Sequence, residues 1–203
     1  MTVTVLGISG SPRRHGNTET LLDSFLEGAK SAGATVEKVV LKDLGYSPCR
    51  GCNACHKTGE CIVKDDAPIL YDKILAADCI AVASPIYSMG ITAQLKGFID
   101  RGQYLWARKF VLKTLFFTND HIKRHKGLFI STAGQNWDHV FDGAFPMITA
   151  FFNGTGFEYY DNIIANNMDE FGGIRNHPTA LNDAFLKGQE VVRVLEKQKE
   201  RSP

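Results

Sequence analysis

Four thiols stand close together at Cys49, Cys52, Cys55 and Cys61, spaced C-x2-C-x2-C-x5-C. Thiolates are the soft ligands that iron-sulfur clusters require, and closing such short loops around a metal costs little chain entropy. Two C-x2-C steps in succession let one turn of backbone surround a cube, whereas structural zinc usually draws on two separated pairs. In ferredoxins with a similar triple run the fourth nearby cysteine serves a different cluster, so spacing alone does not assign Cys61. A cluster, a zinc ion and a bare thiol loop all stay open on these residues. The fifth cysteine, Cys79, lies in an apolar run and reads as core.

A second candidate is the segment GISGSPRRHGNT over residues 7–18, which joins an apolar run to a helical pattern. The N-terminus of a helix offers unpaired N–H groups and about half a positive charge, which together favour a phosphate. Ser9, Ser11, Asn17 and Thr18 add neutral donors, and Arg13 adds a charged one. No GKS or GKT ends the loop and its glycines do not fit GxGxxG, so neither the nucleotide-hydrolase loop nor the dinucleotide fingerprint applies. Donors that are mostly hydroxyls and amides suit a monophosphate without a metal. The alternative is an ordinary strand-to-helix turn capped at Asn17 or Thr18.

Two further loops follow apolar runs. Residues 84–90 (SPIYSMG) come after DCIAVA, and residues 133–137 (AGQNW) come after GLFIST. Tyr87, Met89 and Trp137 supply flat or polarizable contact, and tight-loop amides can hydrogen-bond a heteroaromatic rim. Each of the three would otherwise read as packing. Other groups carry less. His121 and His125 could share a helix face, but Lys123, Arg124 and Lys126 would repel a cation, so a solvated basic face is expected. His56 reads as an exposed loop histidine, and Asp65-Asp66 reads as a helix start with Asp66 as N-cap.

The elements that must position these groups follow from periodicity. Residues 3–8, 34–41, 78–83, 127–132 and 158–165 read as strands, the third and fourth being continuous apolar runs typical of burial on both faces. Residues 18–30, 67–76, 91–106, 140–152 and 179–199 read as helices. This alternation describes a doubly wound three-layer α/β domain with its ligands at the carboxyl ends of the strands. Residues 46–65 and 109–126 fit neither pattern and read as excursions from the sheet. With 203 residues the chain can bury roughly 70% of its unfolded surface. It therefore needs no staple, and any metal would be functional.

Lys plus Arg number 23 against 22 Asp plus Glu, a formal charge of +1, which excludes a nucleic-acid binder relying on bulk charge. No apolar run is long enough to span a membrane, and residues 1–8 do not read as a signal peptide, so a cytoplasmic protein is expected. Reduced cytosolic thiols would then make a disulfide framework a poor account of the cysteines.

GISGSPRRHGNT, DCIAVASPIYSMGITAQLKGFIDR and CRGCNACHKTGEC together resemble the flavodoxin-like NAD(P)H-dependent FMN reductase superfamily, and within it the iron-sulfur flavoprotein family. The resemblance covers the first half of the chain strongly, and the second half chiefly by element order and Gly172-Gly173. It implies one flavodoxin-like domain over residues 1–203, with a five-stranded parallel sheet in the order 2-1-3-4-5 and a cysteine-rich insertion at about 46–65. It also implies FMN, with its phosphate on Ser9, Ser11, Pro12, Arg13, Asn17 and Thr18. The isoalloxazine would lie against Pro85, Ile86, Tyr87, Ser88, Met89 and Gly90, and against Ala133, Gly134 and Gln135. A 4Fe-4S cluster on Cys49, Cys52, Cys55 and Cys61 is implied too. Residues 119–126 are longer than the family usually carries there, and residues 134–139 are not a close match.

Three functions follow. The first is an FMN-dependent oxidoreductase passing electrons between a 4Fe-4S cluster and FMN with no acid or base side chain, fed by a ferredoxin-type donor or NAD(P)H. It would serve a small-molecule acceptor and act as a homodimer or homotetramer. The second is a cluster-free NAD(P)H-dependent reductase of quinones, nitro compounds or free flavin. The third is a binding module stapled by zinc.

Overall fold

In the computed structural model, which describes residues 2–200, five strands form one parallel sheet in the order β2-β1-β3-β4-β5. Residue 1 and residues 201–203 of the expected domain lie outside the described residues. The strands are β1 (Thr4–Ser9), β2 (Thr35–Val40), β3 (Cys79–Pro85), β4 (Lys126–Thr132) and β5 (Glu158–Ala165). All four pairings are parallel. The runs CIAVAS and KGLFIST are buried residue after residue because helices cover both faces of the central strands, while edge strand β2 is mostly exposed.

Two cores result, one on each face, and successive residues of a strand feed them alternately. Val5, Cys79, Ala81, Ala83, Leu128 and Ile130 face α1 (Asn17–Ser31) and α9 (Ala180–Glu200). Leu6, Ile8, Ile80, Val82 and Phe129 face α3 (Asp66–Ala76), α4 (Ala93–Asp100) and α7 (Phe145–Thr155). Cys79 is the core residue its sequence context predicts, and burial pushes its thiol far above the ordinary range.

Three boundaries differ from the sequence reading. The helix expected over 91–106 is broken after α4 and resumes as a short α5 (Gln103–Trp106). The cause lies on another helix: the buried Tyr71 hydroxyl donates to the carbonyls of Phe98 and Ile99, at 3.0 and 3.1 Å. Any Cβ on Gly102 would lie 2.6 Å from that hydroxyl. The helix expected over 140–152 instead starts at Phe145, with Pro146 in its first turn, and runs to Thr155, where Gly156 at φ 84° stops it. Asp65, not Asp66, is the N-cap of α3. Its carboxylate accepts from the Ala67 amide at 3.2 Å, while that of Asp66 accepts from Gly45 at 2.7 Å.

Of the two excursions, the first contains the one-turn α2 (Cys55–Thr58), and the second a π-helical turn (Ala107–Val111) and α6 (Asn119–Arg124). His121 and His125 are half-buried and stacked at 3.8 Å, and Phe117 stacks on His121 as well, while Lys123 between them is exposed. His56 is likewise half-buried, tilted against Trp106. No helix among the described residues is long and apolar enough to cross a membrane.

Helices α1 and α9 meet backbone to backbone. A Cβ on Gly28 would fall 1.9 Å from the Phe185 carbonyl oxygen, and one on Gly188 would fall 2.1 Å from that of Phe25. Gly28→Ala is therefore expected to destabilise the fold by about 1–3 kcal/mol through overpacking, read as a lower midpoint in chemical denaturation.

Candidate functional site

The loop after β1 turns into α1 at Gly16, whose extended backbone provides no side-chain cap. The first amides of that 15-residue helix thus open on the carboxyl edge of the sheet without a capping oxygen. The loop is shaped from within. Ser11 Oγ accepts from the Arg13 amide and donates to its carbonyl, at 3.2 and 3.1 Å. Glu19, at the third helical position, reaches back to accept from the His15 N–H at 2.8 Å, the reciprocal half of a capping box shifted by one residue. Glu19 is fully buried and also accepts from Lys38 at 3.0 Å, with Arg14 3.7 Å away. Burial pushes its carboxyl up, but the hydrogen bonds from Lys38 and His15 and the nearby cations outweigh burial and hold it below the usual carboxylate value.

A cavity of about 210 Å³ opens against this loop. It gathers Ser11, Arg13, Asn17 and Thr18 from the first loop, Pro85, Ile86 and Tyr87 from the loop after β3, and Ala133 and Gly134 from the loop after β4. Nine residues singled out from the sequence thus meet in one place. Ser9, Pro12, Ser88, Met89, Gly90 and Gln135 do not line it. Gly16, Thr132, Met168 and Asp169 do line it and were not anticipated. Thr132 is signalled by its place at the end of β4. Met168 and Asp169 follow β5 in a segment with no motif to mark them.

The donors fit an anion. Ser9 is fully buried and its hydroxyl has no partner among the described residues, a situation that costs free energy until an acceptor or water satisfies it. Asn17 Oδ1 is taken by the Ile174 amide at 3.0 Å, which leaves the NH2 end of its side chain to donate. Thr18 and Thr132 share a hydrogen bond of 2.5 Å that ties the loop to β4. Pockets that enclose a whole drug-sized ligand run from about 300 Å³ upward. The cavity therefore suits the phosphate and sugar end of a mononucleotide, with a ring left to lie over the rim at Tyr87, which is 42% exposed; Met89 in the same turn and Trp137 in the loop after β4 are exposed as well but do not line the cavity. That rim is held in a tight turn. Tyr87 and Gly90 exchange both backbone hydrogen bonds, and Ser88 and Met89 sit at φ 48° and 66°, a left-handed pair that non-glycine residues adopt at a cost.

The four cysteines of the first excursion open on a second, smaller hollow. Each interval between them contains a residue at positive φ: Gly51, Asn53 and Gly59, at 65°, 56° and 75°. These left-handed residues turn the chain back on itself three times, so all four thiols line one space. Cys49 and Cys52 are exposed, Cys61 is half-buried and Cys55 is buried. Burial pushes the Cys55 thiol up, and the neighbouring thiols push the same way. Among the described residues no three His, Cys, Asp or Glu side chains are close enough to hold one metal ion. A cluster presents a separate iron to each thiol, so it does not require three ligands to converge on one ion.

Comparisons with known proteins agree with this geometry. A family model described as NADPH-dependent FMN reductase matches residues 3–138. An iron-sulfur flavoprotein of Methanosarcina thermophila is 39% identical over 109 residues, covering 54% of this chain and 57% of the relative. Another from Archaeoglobus fulgidus is 41% identical over 96 residues, covering 47% and 44%. The chain thus spans about half the length of the curated relatives it matches. A solved flavone reductase shares the fold at a TM-score of 0.68 and 21% identity, over 98% of this chain and 65% of the other. The family model covers well over half of the sequence, and the strand order agrees with a flavodoxin-like fold: the chain belongs to the NADPH-dependent FMN reductase family.

Proposed function

We propose that this protein is an FMN-dependent oxidoreductase in which electrons pass between FMN, seated at the carboxyl edge of the sheet, and a 4Fe-4S cluster held by Cys49, Cys52, Cys55 and Cys61. The observation that carries the reading is the pairing of an uncapped, hydroxyl-rich helix N-terminus with a four-thiol hollow in one chain. When bound, FMN supplies one- or two-electron redox chemistry and the cluster supplies one-electron chemistry.

The residues of the chain bind and orient. Ser11, Arg13, Asn17, Thr18 and the first amides of α1 hold the phosphate, while Glu19 fixes the loop that presents them; Ser9, expected among them, is buried outside the cavity. Pro85 to Gly90 and Ala133 to Gln135 support the ring, with the amides of Ser88, Met89, Gly134 and Gln135 donating to its polar edge, because those of Ile86, Tyr87, Gly90 and Ala133 already serve backbone carbonyls and Pro85 has none. Trp137 shields one side of the rim. No side chain moves a proton in this scheme. A ferredoxin-type protein or NAD(P)H is the donor, a small molecule the acceptor, and the working unit is a homodimer or homotetramer of a single domain over 1–203 with its insertion at 46–65. The iron-sulfur flavoproteins among its relatives support the cluster part of the reading.

Protein prepared anaerobically is expected to contain one FMN and about four iron atoms per chain. Cys52→Ala should lose the iron and keep the FMN. FMN-loaded protein without iron would replace this reading with a cluster-free NAD(P)H-dependent reductase, and stoichiometric zinc without flavin would contradict it altogether. Arg13→Ala should weaken FMN binding roughly ten- to hundredfold, the worth of one hydrogen bond to a charged group, in a fluorescence titration. The Glu19 contribution has a defined pH sense. Because its carboxyl titrates lower in the folded chain than in the unfolded one, the contribution is complete above its ordinary value of 4.5 and disappears as the pH falls through the depressed one. Glu19→Gln should remove that acid-side dependence from FMN retention.

A further inference from the structure

Arg101, just beyond α4, is 3% exposed, yet its side chain does not lie in the apolar core. It lines the four-thiol hollow. One terminal nitrogen, Nη1, donates to the Ser47 carbonyl at 2.8 Å and to Asp65 Oδ2 at 2.6 Å. The other, Nη2, donates to Cys61 Sγ at 3.4 Å and to the Val63 carbonyl at 3.3 Å. Its Nε is buried with no partner among the described residues. A guanidinium stays charged at any ordinary pH, and burying one is costly unless its surroundings are negative. Among the described residues Asp65 is the only carboxylate bonded to it, and that carboxylate also accepts from the amides of Ser47 and Ala67. Neutral donors would suffice to tie Ser47 and Val63 together. A buried positive charge touching a cysteine sulfur, with an N–H still unpaired, points to a negatively charged occupant of the hollow.

We propose that Arg101 is a positioning residue that raises the reduction potential of the group held by the four thiols, and that Asp65 opposes it. This rests on the reading of the cysteines as cluster ligands. The step concerned is the gain of one electron, with no bond made or broken and no proton transferred. It leaves the sulfur-ligated group one charge more negative. A fixed cation donating to Cys61 Sγ stabilises that state more than the oxidised one, and hydrogen bonds to cluster sulfurs act on potentials in this way. Asp65 partly cancels the cation, so the two residues act with opposite sign on one quantity.

The test uses the full chain, prepared anaerobically, with iron and FMN measured first. Reductive titration with dithionite and mediators, followed by low-temperature electron paramagnetic resonance, then gives the cluster midpoint. Asp65→Asn keeps the size and, through its one oxygen, the N-cap bond to Ala67, while the charge and the acceptor for Arg101 and the Ser47 amide are both lost; with its counter-charge removed Arg101 acts on the thiol-held group unopposed, so the midpoint is expected to move to a more positive value. Arg101→Gln should move it to a more negative value, and Arg101→Lys should fall between Gln and wild type. The FMN midpoint should stay in place in all three. A purely structural anchor predicts iron loss in the variants with no opposed shifts. Iron-loaded Asp65→Asn with an unmoved or more negative midpoint overturns the inference, even where Arg101→Gln fails to fold. Wild-type protein with FMN and no iron overturns the cluster reading itself, and this inference with it.

Discussion

Helix α4 is fastened at both ends, and the placement of the two candidate sites depends on that. At its start the Thr92 hydroxyl donates to the Gly10 carbonyl at 2.6 Å and accepts from the Leu95 amide at 3.2 Å, while the Thr92 amide donates to Ser84 Oγ at 3.0 Å. One threonine thereby joins the phosphate-loop segment, the end of β3 and the first turn of the helix. Just past its last residue Arg101 grips the cysteine loop through Ser47, Val63, Cys61 and Asp65. In its first turn Tyr46 donates to the Gln94 carbonyl at 2.6 Å, and midway Gly97 gives Pro48 room to lie against the helix. An eight-residue helix is about 12 Å long at 1.5 Å per residue, so α4 is a short strut between a loop shaped for an anion and a loop lined with thiols.

Electrostatics at the two ends of the strut differ in kind. The loop after β1 is organised around a buried carboxylate, Glu19, whose negative charge is compensated by Lys38, Arg14 and a backbone amide, so the donors facing the cavity are left for a ligand. The cysteine loop is organised around a buried cation, Arg101, compensated by Asp65. Burial would push the Asp65 carboxyl up, yet its hydrogen bonds from Arg101 and two amides hold it below the ordinary range, so the pair stays ionised at neutral pH.

Much of this was legible in the sequence because burial on both faces leaves an unbroken apolar run. CIAVA and GLFIS could be read as central strands on that ground alone, and the order of elements then placed three loops on one edge. The cysteine spacing was legible because its geometry is local, with a turn residue in each gap. What escaped depends on partners distant in the chain. The break after α4 is caused by a tyrosine 27 residues before Phe98. The choice of Asp65 over Asp66 as cap depends on Gly45 capturing the other carboxylate. Thr132, Met168 and Asp169 reach the cavity only because β4 and β5 deliver them there. Arg101 closes the motif DCIAVASPIYSMGITAQLKGFIDR, but its contacts to Ser47, Cys61, Val63 and Asp65 are not legible there, because those partners lie 36 to 54 residues earlier in the chain.

The central claim is that flavin and thiol-held metal form one electronic unit in this chain. Its most direct test is the transient absorption of anaerobic protein after photoreduction of the flavin by a brief light pulse, with the cluster bands followed at the same time. The account predicts that flavin absorbance recovers as cluster absorbance bleaches, with one rate constant that does not change with protein concentration. Recovery of the flavin at a rate independent of the cluster, with the cluster bands unmoved, would contradict it.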